Sequence, residues 1–153
     1  MKFLAALSFA ALSIAPAAAN DSLRSLSYLV GTWKCTYDAG KTRMVYTATF
    51  AYVMDENWVR ESDSWSGGGS DLGMFTYDSK RREWTALVIE PERSSVVFRA
   101  AGSDAYHIVY RSVYPDTSMT DVFDRESPSR YTLHFAQSAG GKVTRSNDTC
   151  RKQ

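Results

Sequence analysis

Cysteine and histidine are scarce in this chain, and neither sign of charge is in excess. Its 153 residues hold two cysteines, two histidines and four prolines. Two lone cysteines without CxxC or CxxH spacing leave no donor set for a zinc site, and no metal is expected. Lys and Arg number 18 against 17 Asp and Glu. That balance excludes a strongly basic nucleic-acid binder and a polybasic membrane-surface protein. No segment approaches 18 consecutive apolar residues, so no transmembrane helix is expected. The hydrolase elbow Gly-x-Ser-x-Gly is missing, because Gly68-Gly69-Ser70-Asp71-Leu72 fails at its last position. Gly67-Gly68-Gly69 lacks the Gly-Lys-Ser/Thr continuation of a phosphate loop. No catalytic residue and no cofactor are assigned. Haem held by one histidine is conceivable but has no binding motif behind it.

What is present begins with an address. Residues 1–19 read as a signal peptide: Lys2 is basic, residues 3–14 are largely apolar, and Pro16 precedes Ala17-Ala18-Ala19. The apolar run is too short for the ~20 residues of a span. Residues 20–153 are then one mature domain of 134 residues, with 17 groups of each charge once Lys2 is removed. The expected destination is the periplasm or the exterior. In such an oxidising compartment Cys35 and Cys150 are expected to form a disulfide.

Leu23, Leu26, Leu29 and Val30 follow a helical stripe, with Asp21 or Ser22 to cap it and Gly31 to end it. From Thr32 onward, turn-forming clusters cut the chain into pieces of about 7–11 residues. Nine such breaks bound ten candidate strands rich in Val, Thr, Tyr, Phe and Trp. Trp33, Cys35 and Tyr37 alternate with Lys34, Thr36 and Asp38. Tyr46, Ala48 and Phe50 alternate with Thr47 and Thr49. One buried and one solvated face is the antiparallel pattern. The expectation is all-β: a closed up-and-down antiparallel barrel of about 8–10 strands with one short N-terminal helix. Closure would bring Cys35, in the first strand, beside Cys150 in the last.

Leu29-Val30-Gly31-Thr32-Trp33, directly after a short helix, resembles the Gly-x-Trp entry of lipocalin-like barrels. Leu72-Gly73-Met74-Phe75-Thr76-Tyr77-Asp78, leading through a turn to Trp84-Thr85-Ala86-Leu87, resembles a hairpin of uncharacterised bacterial secreted proteins with a lipocalin-like (calycin-like) β-barrel. The resemblance implies a barrel closed at one end by Trp33, and it implies no particular activity.

The aromatic load carries the functional reading. Eighteen rings lie in the mature chain, and inward rings either fill a small barrel or line a cavity. The candidate ligand-binding residues are Trp33, Tyr46, Phe50, Trp58, Arg60, Trp84, Tyr106 and Tyr110. Arg60 shares parity with Trp58 and, if inward, would hold an anionic head group. His107 and His134 fall on polar strand faces. Glu61 with Asp63, and Asp121 with Asp124, read as solvated surface. The expected partner is a small hydrophobic or amphipathic ligand. The alternatives are an interaction or inhibitor module using loops 66–71 and 114–118, and a small barrel enzyme built on Arg60, Glu61 or His107.

Overall fold

The structure is a computed structural model that describes residues 21–91 and 94–153. The signal-peptide assignment to residues 1–19 lies outside the described residues. A single helical turn, α1 (Asp21–Arg24), runs into a 3-10 turn (Ser25–Tyr28). Ten strands follow: β1 (Gly31–Ala39), β2 (Thr42–Val53), β3 (Trp58–Trp65), β4 (Leu72–Asp78), β5 (Glu83–Ile89), β6 (Ser95–Ala101), β7 (His107–Tyr114), β8 (Met119–Ser127), β9 (Arg130–Ala139) and β10 (Lys142–Lys152).

Each strand pairs antiparallel with the next, and β1 also pairs with β10, which closes the barrel. The expected fold class is therefore the one present. Closure leaves no long unpaired edge in the meander. Cys35 lies directly opposite Cys150 in the closing pair, their Cα atoms 4.1 Å apart, and the two form the disulfide.

The two ends of the barrel differ. One end carries the N-terminal turns and is packed. Leu23, Leu26 and Leu29 are all buried, and the Trp33 Nε1–H donates to the Leu29 carbonyl at 2.6 Å. The Trp33 ring meets Tyr131 edge-on at 4.8 Å, and Tyr77 packs on Trp84 at 4.6 Å. Tyr28 donates to the Ala105 carbonyl at 2.9 Å, and the Lys152 ammonium donates to the Tyr28 carbonyl at 2.8 Å. Burying aromatics of this size supplies a large share of the driving force for folding. Trp33 thus plugs this end, as the Gly-x-Trp resemblance implies. The opposite end is ringed by the β1–β2 and β9–β10 turns and by the connections after β3, β5 and β7. No helix covers it among the described residues.

Candidate functional site

Strand alternation fixes what the interior contains. In β3, Val59 is fully buried against the core, so Glu61, Asp63 and Trp65 point inward with it. Across the sheet, Glu61 faces Phe50 and Gly73, and Asp63 faces Ala48. Asp121 in β8 shares parity with buried Phe123 and lies opposite Tyr110 and Phe135. Asp148 in β10 shares parity with Cys150 and Ser146. Four carboxylates therefore enter the half of the barrel that faces the unplugged end.

Their environment is enclosed and short of partners. The Tyr46 hydroxyl donates to Asp148 Oδ2 at 2.6 Å. Asp63 Oδ1, Asp121 Oδ1 and the Tyr110 hydroxyl are buried without a hydrogen-bond partner. None of the four carboxylates joins an ion pair among the described residues. Burial, together with the negative charges of Asp63, Asp121, Asp148 and Asp71, pushes Glu61 well above the usual carboxylate range. Burial and the nearby Asp71 and Asp148 raise Asp63 to about 7. Burial and Asp148 raise Asp121 to about 7, against a smaller opposite pull from His134. Burial raises Asp148 to about 6, although the Tyr46 hydrogen bond pulls it back. Desolvation and like charges act in one direction here.

Glu61, Asp63, Asp121 and Asp148 are partly buried rather than sealed like the rings of the floor. The inward residues among them are small: Ala48, Gly73, Ser112 and Ser146 are all buried. Trp65, Phe75 and Phe135 beside them are partly buried, whereas Trp33 and Trp84 on the packed floor have no exposure. Beside the end of β3, where Asp63 N–H donates to the Asp71 carbonyl and Trp65 N–H to the Gly69 carbonyl, lies a cleft of about 330 Å³, lined by Asp63, Asp71, Ser70, Glu90 and Pro91 among others. Trp65 Nε1–H donates to Asp71 Oδ2 at 2.8 Å, which ties the 66–71 loop to this rim.

Gly73 is required by the Glu61 carboxyl. A Cβ at position 73 would meet Glu61 Oε2 at 2.8 Å and Phe75 Cε2 at 3.0 Å. Gly73→Ala is expected to displace that carboxyl and lower stability by about 1–3 kcal/mol. A denaturant titration checks it, and an unchanged midpoint would show that this wall has slack.

Not all the sequence-derived candidates meet here. Tyr46 and Tyr110 lie among the carboxylates. Phe50 sits at the boundary, 6.4 Å from Phe75 and 6.1 Å from Tyr131, and Trp33 and Trp84 belong to the packed floor. Trp58 and Arg60 are corrected: inward Val59 and Glu61 force both onto the outer face, where Arg60 is exposed. Tyr106 is also corrected. It precedes β7 at the plugged end, is 50% exposed, and packs with Tyr28 around the Arg125 guanidinium, which lies 4.6 Å from the Tyr106 ring centre. Glu61, Asp63 and Asp121 are inside, contrary to the solvated-surface reading. Asp124 does stay outside, against His107. Arg60, Glu61 and His107 are not brought together, since Glu61 is inside while the other two are exposed.

No family model and no curated protein sequence matches the chain. Among solved structures it is similar to the S-type phycobiliprotein lyase CPES from Guillardia theta, with a TM-score of 0.55 and 13% sequence identity. The likeness covers 90% of this chain and 98% of that one. At this identity it establishes a shared barrel fold.

Proposed function

We propose that this chain is an exported barrel that binds a small amphipathic molecule in the half of its interior opposite the Trp33 plug. The observation that carries the reading is the contrast between the two halves. The floor is filled with fully buried rings, while the carboxylates above it, Glu61, Asp63, Asp121 and Asp148, are only partly buried, and Asp63 Oδ1 and Asp121 Oδ1 have no hydrogen-bond partner. Ligand sites are concave, largely apolar and furnished with a few convergent polar groups. The lyase likeness fits a barrel of this size serving as a container. Export rests on the leader-like residues 1–19 and on the Cys35–Cys150 bond, which suits an oxidising compartment. The same leader and barrel accord with the bacterial secreted lipocalin-like proteins that the Gly31–Thr32–Trp33 entry resembles.

The test is intrinsic tryptophan fluorescence against fatty acids, aromatic metabolites and haem. Trp65 reports on the site because its ring lies 4.4 Å from Tyr46. At least one class is expected to give a saturable change. Ala48→Phe, which pushes a ring into the interior opposite Asp63, should weaken that binding at least tenfold, and Trp58→Ala on the outer face should not. If no compound saturates, or if Ala48→Phe has no effect, the interior is not the binding site.

A further inference from the structure

We infer that the bound molecule is a small organic cation, carrying one or more ammonium or amidinium groups on an apolar or aromatic body. This rests on the interior being the binding site and assigns the sign of charge it takes. The first ground is the imbalance inside. Glu61, Asp63, Asp121 and Asp148 converge from β3, β8 and β10 with no cation paired to any of them among the described residues. The second is independent of charge counting. Asp121 Oδ1 and the Tyr110 hydroxyl face each other's strands, fully enclosed, and neither has a hydrogen-bond partner. An orphaned buried acceptor is costly, and folded chains rarely keep one without a use. An N–H donor from a ligand would satisfy Asp121.

The same arrangement argues against other ligand chemistries. An anionic head group has no inward arginine or lysine to meet in this half among the described residues: Arg60, Arg99 and Arg111 are on the outer face. A metal ion is disfavoured because no three of these side chains come together as a chelating set among the described residues. Separated negative charges suit an organic cation, whose charge is spread or repeated. Trp65 and Tyr46 supply ring faces to which such cations are drawn. At the rim, Asp71 and Glu90 extend the negative potential to the cleft and would steer a cation inward.

Binding should also be linked to protons. The groups facing the site are Glu61 and Asp63 from β3, Asp71 from the following loop, Tyr46, Tyr110, Asp121, Tyr131 and Asp148, with His134 acting on Asp121 from outside. With carboxyls raised to about 6–7, a cation that favours their ionised form must release protons near pH 6.5.

Titration calorimetry on the disulfide-bonded protein at pH 7.5, with two matched series, tests this. One series is tryptamine, tryptophol and indole-3-propionate; the other is decylamine, decanol and decanoate. The amines are expected to bind at least tenfold more tightly than their partners, and to release protons when buffers of different ionisation enthalpy are compared at pH 6.5. Asp121→Asn and Glu61→Gln should each weaken amine binding at least tenfold and leave alcohol binding unchanged. Their melting temperatures should not fall, because each exchanges a desolvated carboxyl crowded by other carboxyls for a neutral amide of similar size. If the alcohol or the acid binds as well as the amine, the cation inference falls and interior binding stands. If no member of either series binds, both fall. If the variants bind amines normally, the carboxylates are not the recognition groups.

Discussion

Between pH 8 and pH 5 the melting temperature of the unliganded protein should rise by roughly 5–15 °C, a range consistent with a few kcal/mol in a domain of this size. Most globular proteins do not gain that much on acidification. The reason here lies in Asp63, Asp121 and Asp148, whose carboxyls are raised to about 7, 7 and 6 in the folded state. In the unfolded chain each returns to the ordinary value near 4. Between pH 4 and pH 7 the folded state therefore holds more protons than the unfolded state, and stability falls as pH rises. Above about pH 7 these groups are ionised in both states, and their effect levels off. His107, raised by its hydrogen bond and charge pairing with Asp124, adds in the same direction, because that pairing is lost as the imidazole deprotonates. Asp78 and Asp116 are lowered by hydrogen bonds at surface turns and oppose the trend only at acid pH, below the ordinary carboxylate range. Circular dichroism melts from pH 4.5 to 8.5 measure the profile, and Asp121→Asn should flatten it. A profile that is level or rises toward pH 8 would mean that the interior charge is compensated.

The second large effect concerns the seam. Replacing both Cys35 and Cys150 with serine is expected to lower stability by about 4–5 kcal/mol and the melting temperature by roughly 10–20 °C. The bond closes a loop with a sequence separation of 115, so it removes much of the freedom of the unfolded chain. Its position matters as well. Both sulfurs are fully buried, with the Tyr131 hydroxyl 3.7 Å from Cys35 Sγ and the Tyr46 hydroxyl 3.8 Å from Cys150 Sγ. A thiol reductant should therefore act slowly on the native protein and quickly once urea is added. Rapid reduction without denaturant, or a double variant as stable as the parent, would show that the seam holds without the bond.

The fold was legible in the sequence because turn chemistry and period-two alternation repeat along nearly the whole chain. The helical stripe also survived in compressed form. Leu23, Leu26 and Leu29 are buried on what are only two consecutive turns. The acidic interior was not legible, and β3 shows why. Its sequence Trp58-Val59-Arg60-Glu61-Ser62-Asp63-Ser64-Trp65 places a tryptophan on each parity, so hydrophobicity alone leaves the inward face undecided. The hairpin decides it. Val53 pairs with Trp58 across a four-residue turn, which sets Phe50 against Glu61 and Ala48 against Asp63. Since Ala48 and Phe50 alternate cleanly as core, their partners must be inward too, and a register slip of one residue would reverse the strand. The signal lay in turn length, which outweighs the rule that carboxylates face water.

The ladders of the barrel are unequal in a way that bears on how a guest would lie. The ladder of β3 and β4 proper is short, from Val59↔Phe75 to Ser62↔Leu72, with two further backbone bonds to the 66–71 loop, and β6 meets β7 in a short ladder broken by a register shift between Val97 and Phe98. These seams set off a three-strand panel, β4 to β6, from a seven-strand shell. The shell holds the disulfide and all four interior carboxylates. The panel turns Phe75, Ala86, Val88, Val96 and Phe98 inward and contributes no charge. The interior thus has a polarity across its width as well as along its axis. A molecule with a charged end and an apolar end would be oriented crosswise, its apolar part toward the panel and its polar part toward the shell.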